Sequence, residues 1–103
     1  MSDDQPLPDV HEAMLDEATE RSLLTDIEAL TELLGVTVKG AATQMVPDRA
    51  WTLAEALAAW RAGAARGLQL RYRHEGLEWW DTLLRTPSGT RLVRIAQRFT
   101  TMP

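Results

Sequence analysis

Residues 68–84, LQLRYRHEGLEWWDTLL, combine a strict two-residue alternation with a tight-turn sequence, and few folds accommodate both. Leu68, Leu70 and Tyr72 alternate with Gln69, Arg71 and Arg73, the pattern of a strand with one dry face and one wet, cationic face. His74, Glu75 and Gly76 then supply a turn, because Gly76 is free to take a positive φ. The segment predicts a β-hairpin. A second turn, TPSG at residues 86–89, has Pro87 at its second position and Gly89 at its end. It returns Arg91–Ile95 as a third antiparallel strand.

The rest of the chain reads as helical and connecting segments. Asp9 with Glu12 matches a capping box, so a helix is expected from about residue 10 to Leu34, where Gly35 stops it. Leu23, Ile27, Leu30 and Leu34 share one face of that helix, but the stripe breaks down upstream of Leu23. Thr25 and Glu28 form a second box, which leaves open two helices meeting near Ser22. Val36–Val38 favour a short strand at a sheet edge, and residues 39–49 read as a strand running into a loop. Thr52 opens a clear capping box, TLAE. A helix from Leu53 to Arg66 follows, ended by Gly67, with Leu53, Leu57, Trp60 and Ala64 toward the sheet and Arg61 and Arg66 toward water. The expected fold class is therefore α+β: an acidic N-terminal helical segment, a second helix and a three-stranded antiparallel meander. Residues 9–97 form one domain, between a disordered tail at 1–8 and a loose C-terminus at 98–103.

Charge is divided along the chain. Residues 1–40 carry ten acidic groups against Arg21 and Lys39, a net of −8, while residues 41–103 carry nine arginines against five acidic groups, a net of +4. The halves attract each other, which places the acidic helix near Arg61, Arg71, Arg73, Arg91 or Arg94. There is no cysteine, so disulfides and thiolate metal sites are excluded. The opening residues lack the basic start and apolar core of a signal peptide, no run has the length of a membrane span, and a cytoplasmic setting is the expectation.

No catalytic motif, metal-ligand spacing or nucleotide loop is present, and no cofactor is expected. His74, Glu75, Glu78 and Asp81 are the nearest approach to a metal set, but Glu75 and Glu78 differ in parity on an extended chain. Asp81 shares parity with Leu77 and Trp79, so it points inward and needs a cationic partner among Arg71, Arg91 and Arg94. Trp79 and Trp80 are adjacent and must face opposite ways. A tryptophan turned outward beside arginines has the composition of a binding hot spot, which makes Arg71, Arg73 and Trp80 the candidate partner-binding residues.

The function expected is a small non-enzymatic protein-interaction module. It would bind a partner protein or its own copy through the sheet face or the first helix, and strand edges left unpaired would favour self-association. Nucleic-acid binding is one alternative, by stacking of single strands on the basic hairpin or by a winged helix built on LTELLGVTVKGAATQM. The acidic first helix argues against the first, and Gly40 with the scarcity of basic residues between Leu30 and Met45 weakens the second. A small enzyme using Asp81 or His74 at a subunit interface is the second alternative.

Overall fold

A computed structural model describes residues 9–40 and 51–97. Along them run β1 (Asp9–Leu15), α1 (Glu17–Leu30), β2 (Glu32–Gly40), α2 (Leu53–Arg61), β3 (Ala65–His74), β4 (Leu77–Thr86) and β5 (Gly89–Gln97). The strands make one antiparallel sheet in the order β1-β5-β4-β3-β2. The expected hairpin and third strand are its centre, but the sheet is not the three-stranded meander read from the sequence: β1 and β2 flank it on either side. The tail at 1–8, most of the loop at 39–49 and the C-terminus at 98–103 lie outside the described residues.

The largest correction concerns residues 9–15. They are a strand, with Asp9–Leu15 paired residue for residue against Ala96–Thr90 of β5. Asp9 and Glu12 resemble a capping box and Val10, Ala13 and Met14 have helical spacing, but pairing with β5 overrides the local propensity. The true cap is Asp16, whose carboxylate accepts a hydrogen bond from the Thr19 amide at 2.7 Å. Hydrogen bonding from the Thr19 side chain, together with this amide bond, holds the Asp16 carboxyl below its ordinary pKa.

α1 passes through Ser22 unbroken, so the two-helix alternative falls too. It ends at Leu30, before Gly35. The expected stripe therefore ran across a helix end: Leu24 and Ile27 are buried, whereas Leu30 is 66% exposed and Leu34 sits in β2. Because Glu32–Gly40 is a strand, the described residues of the stretch read as a winged helix-turn-helix hold no recognition helix.

α1 links two strands that lie at opposite edges of the sheet and run parallel to each other, with the meander between them. Such a crossover must pass over one face of the sheet, and α2 packs on the same side. Leu24 and Ile27 of α1 and Leu57 and Trp60 of α2 share one core with Leu68, Leu70, Tyr72, Leu83 and Leu92. α2 has the full capping box expected, Thr52 with Glu55, but stops at Arg61, and residues from Ala65 on already belong to β3. The β3–β4 connection is a two-residue loop in which Glu75 (φ 53°) and Gly76 (φ 81°) are both left-handed, the geometry of a type I′ turn.

Trp60 fastens α2 to both neighbours. Its indole N–H donates to Glu20 of α1 at 2.8 Å, and Glu20 also accepts from the Thr90 hydroxyl of β5 at 2.5 Å. The Arg85 guanidinium lies 3.9 Å over the Trp60 ring and donates to its carbonyl at 2.6 Å. Trp60 is fully buried. Replacing it with alanine is expected to lower unfolding free energy by about 3–5 kcal/mol in a denaturant titration; a loss below about 1 kcal/mol would contradict this packing.

Candidate functional site

The register divides the strand side chains between two faces. The inner face, under the helices, carries Tyr72, Trp79, Asp81, Leu83, Leu92 and Arg94, as the pairs Tyr72–Trp79, Asp81–Arg94 and Leu83–Leu92 require. Val10, Glu12 and Met14 fall on the outer face of β1, and Arg91, Val93 and Ile95 on that of β5. Trp80 and Leu84 of β4 and Arg71 and Arg73 of β3 complete the outer face. Both described helices pack on the inner side, so no described helix covers the outer one.

The three residues expected to bind a partner are brought together there. Arg71 stands directly opposite Trp80, and Arg73 opposite Glu78. Each is also engaged within the chain. The Trp80 indole donates to Glu78 at 2.7 Å, and Arg73 reaches Glu32 of β2 at 3.4 Å. The Arg71 guanidinium lies on Gly35, where any Cβ would come within 2.1 Å of it. Only glycine at position 35 lets that side chain fold down onto β2, which explains why Arg71 is half-buried.

The most exposed apolar side chains of this face are on β1: Val10 at 54% and Met14 at 52%. Reading residues 10–34 as a helix hid them, because their outward direction depends on strand parity. Between them Glu12 is held by the Nε and a terminal amine of Arg91, a diagonal neighbour on β5. The charge division of the sequence is therefore realised by strand residues, Glu12 with Arg91 and Glu32 with Arg73. α1 itself keeps Glu17 with Arg21.

On the inner face Asp81 is fully buried and finds the partner expected of it in Arg94, with a second partner in Tyr72. Arg94 donates to both carboxylate oxygens at 2.8 Å, and the Tyr72 hydroxyl donates to one of them at 2.9 Å. The hydrogen bond to Asp81 raises the Arg94 pKa further. Asp81 is fully buried beneath these partners, which places its oxygens out of reach of a proton on a substrate in solution. His74, the other residue of the enzymatic alternative, lies at the hairpin turn 3.8 Å from Glu75. Among the described residues no three histidine or carboxylate groups converge as metal ligands. None of their helices is long and apolar enough to cross a membrane.

A cleft of about 930 Å³ opens between the start of α1, the end of α2 and the β4–β5 turn, with Glu20, Arg61, Arg85 and Ser88 in its wall. Its Glu20 and Arg85 make the contacts with Trp60 and Thr90 that join the helices to the sheet. Among the described residues no imidazole lines it, so Ser88 has no histidine base beside it.

Burial and the neighbouring Asp81 charge push the Tyr72 hydroxyl far above its ordinary pKa. Its contribution to stability is therefore complete below the unfolded-state value near 10 and is lost as pH rises toward the folded one. From about pH 10 to about pH 12 unfolding free energy should fall by about 1.4 kcal/mol per pH unit from this group, and Tyr72→Phe should remove that slope. Tyr72 is the chain's only tyrosine, so phenolate absorbance reads the titration directly. Ionisation of the folded protein near pH 10 would contradict the burial.

No protein-family model matches this chain, and neither does any curated protein or solved structure, so its function is argued from the geometry.

Proposed function

We propose that this protein is a small non-enzymatic interaction module that associates with a second copy of itself through the β1 side of its outer sheet face. The observation that carries this reading is the pair Val10 and Met14, each more than half exposed on a face where Val93, Ile95, Trp80 and Leu84 continue the apolar surface. Contiguous apolar surface without a cover marks an interaction site more often than scattered single residues do. Beside β1 the charges of this face are matched inside the chain, Glu12 with Arg91, and farther off Glu32 is paired with Arg73. A neutral, equally apolar surface therefore suits it better than a polyanion, and its own copy presents one.

Arg71, Arg73 and Trp80 stand two and three strands away from β1 on the same face, a secondary contact at most in this reading. Sedimentation velocity of the full chain should show a concentration-dependent dimer. Val10→Lys with Met14→Lys should convert it to monomer while moving the melting temperature little, since exposed substitutions usually change stability by less than about 0.5 kcal/mol. Loss of the dimer in Arg73→Ala with Trp80→Ala, but not in the lysine variant, would move the contact to the hairpin. A wild-type chain that stays monomeric at every concentration would end the reading.

A further inference from the structure

The two edges of the sheet are not equivalent. β2 is irregular, with register shifts between Leu33 and Gly35 and between Lys39 and Gly40, and it carries Lys39; bulges and edge lysines are devices that stop a strand from accepting a partner. β1 has neither. All seven of its residues keep one unbroken register against β5, it contains no proline or lysine, and no described strand lies on its outer side. α1 leaves β1 at Asp16 and crosses toward β2, away from that edge.

The sequence of β1 is also symmetric in the property that matters. On its outer face Val10 and Met14 stand two residues before and after Glu12. In an antiparallel pair of identical strands, directly opposite residues must lie on the same face. Centring the two-fold axis on Glu12 then sets Val10 against Met14 of the other copy twice over, and on the inner side sets His11 against Ala13. The two Glu12 carboxylates meet at the axis, where like charges would repel, but each is already held by Arg91 of its own chain.

We infer that β1 pairs antiparallel with β1 of a second copy about Glu12, joining two five-stranded sheets into one of ten strands. This rests on the self-association proposed above and specifies its geometry. The helices of both copies then lie on one side and the two outer faces form a continuous surface on the other, with the arginine and tryptophan corners duplicated at a distance. Val10 and Met14 gain apolar cross-strand neighbours, and the free amides and carbonyls of the edge gain partners.

The absence of cysteine makes the register directly testable. Glu12→Cys should place two thiols opposite each other across the axis, with Cβ atoms about 4.5–5.5 Å apart, a gap that a small shift of the two edge strands closes to the roughly 3.5–4.5 Å of a disulfide, and mild oxidation should convert most of the chain to a covalent dimer. Thr82→Cys, on the outer face of central β4, and Thr37→Cys, on β2, should cross-link at least about tenfold more slowly. A wild-type dimer in which Thr82→Cys or Thr37→Cys links and Glu12→Cys does not would replace edge pairing with face stacking or β2 pairing and leave self-association standing. A wild-type dimer that none of the three links would overturn the register alone. A wild-type monomer would overturn both.

Discussion

A carboxylate removed from water at the centre of a sheet is the constraint on which the arrangement turns. Asp81 on β4 is fully buried and is satisfied by Tyr72 from β3 and by both donors of Arg94 from β5. Removing Arg94 from such a group costs about 3–5 kcal/mol, because the Asp81 charge then stays buried without its counter-charge. The three strands of the meander are therefore tied together by a contact that only one register satisfies. A slip of one residue on any of them would turn its partner to the other face of the sheet. Apolar pairs such as Leu83 with Leu92 add burial but discriminate less between registers.

The crossover of α1 supplies the second constraint. With β1 and β2 at opposite edges, the connecting helix has to span the sheet, and burial of Leu24 and Ile27 on that path commits one face to the core. α2 fills the remaining space on the same face, with Glu20, Trp60 and Thr90 bonded across the two helices and β5. One layer of helix on one layer of sheet buries a single side of the sheet. The outer face is left to polar residues, to side chains that pair among themselves, and to the exposed Val10 and Met14.

The central sheet was legible because its signals are local. Alternation in residues 68–84, the His74–Gly76 turn, the TPSG turn and the inward parity of Asp81 each depend on neighbours in sequence, as does the Thr52 capping box. Residues 9–15 were not legible, because their strand conformation depends on β5, roughly eighty residues away, while Asp9 and Glu12 imitate a helix start. The same error concealed the outward direction of Val10 and Met14 and shifted attention to the hairpin corner. Arg71, Arg73 and Trp80 do share one face, as parity implied. The Glu32 and Gly35 contacts that draw the two arginines toward β2 come from a strand whose edge position Val36–Val38 did suggest, but whose start at Glu32 and register against β3 no local pattern discloses.

The buried charge and the exposed edge are mechanically connected. Arg94 fixes β5 against β4 from the inner face, and Arg91, three residues earlier and of opposite parity, holds Glu12 from the outer one. The register set at Asp81 thus passes through β5 to β1. If β1 slipped by one residue, Val10, Glu12 and Met14 would turn inward, and His11 and Ala13 would take the outer face, with neither the apolar pair nor the neutralised centre that self-pairing needs. The symmetry of the edge about Glu12 is therefore set from inside the core: Val10, Glu12 and Met14 face outward together only while Asp81, Arg94 and Tyr72 hold the central strands in place.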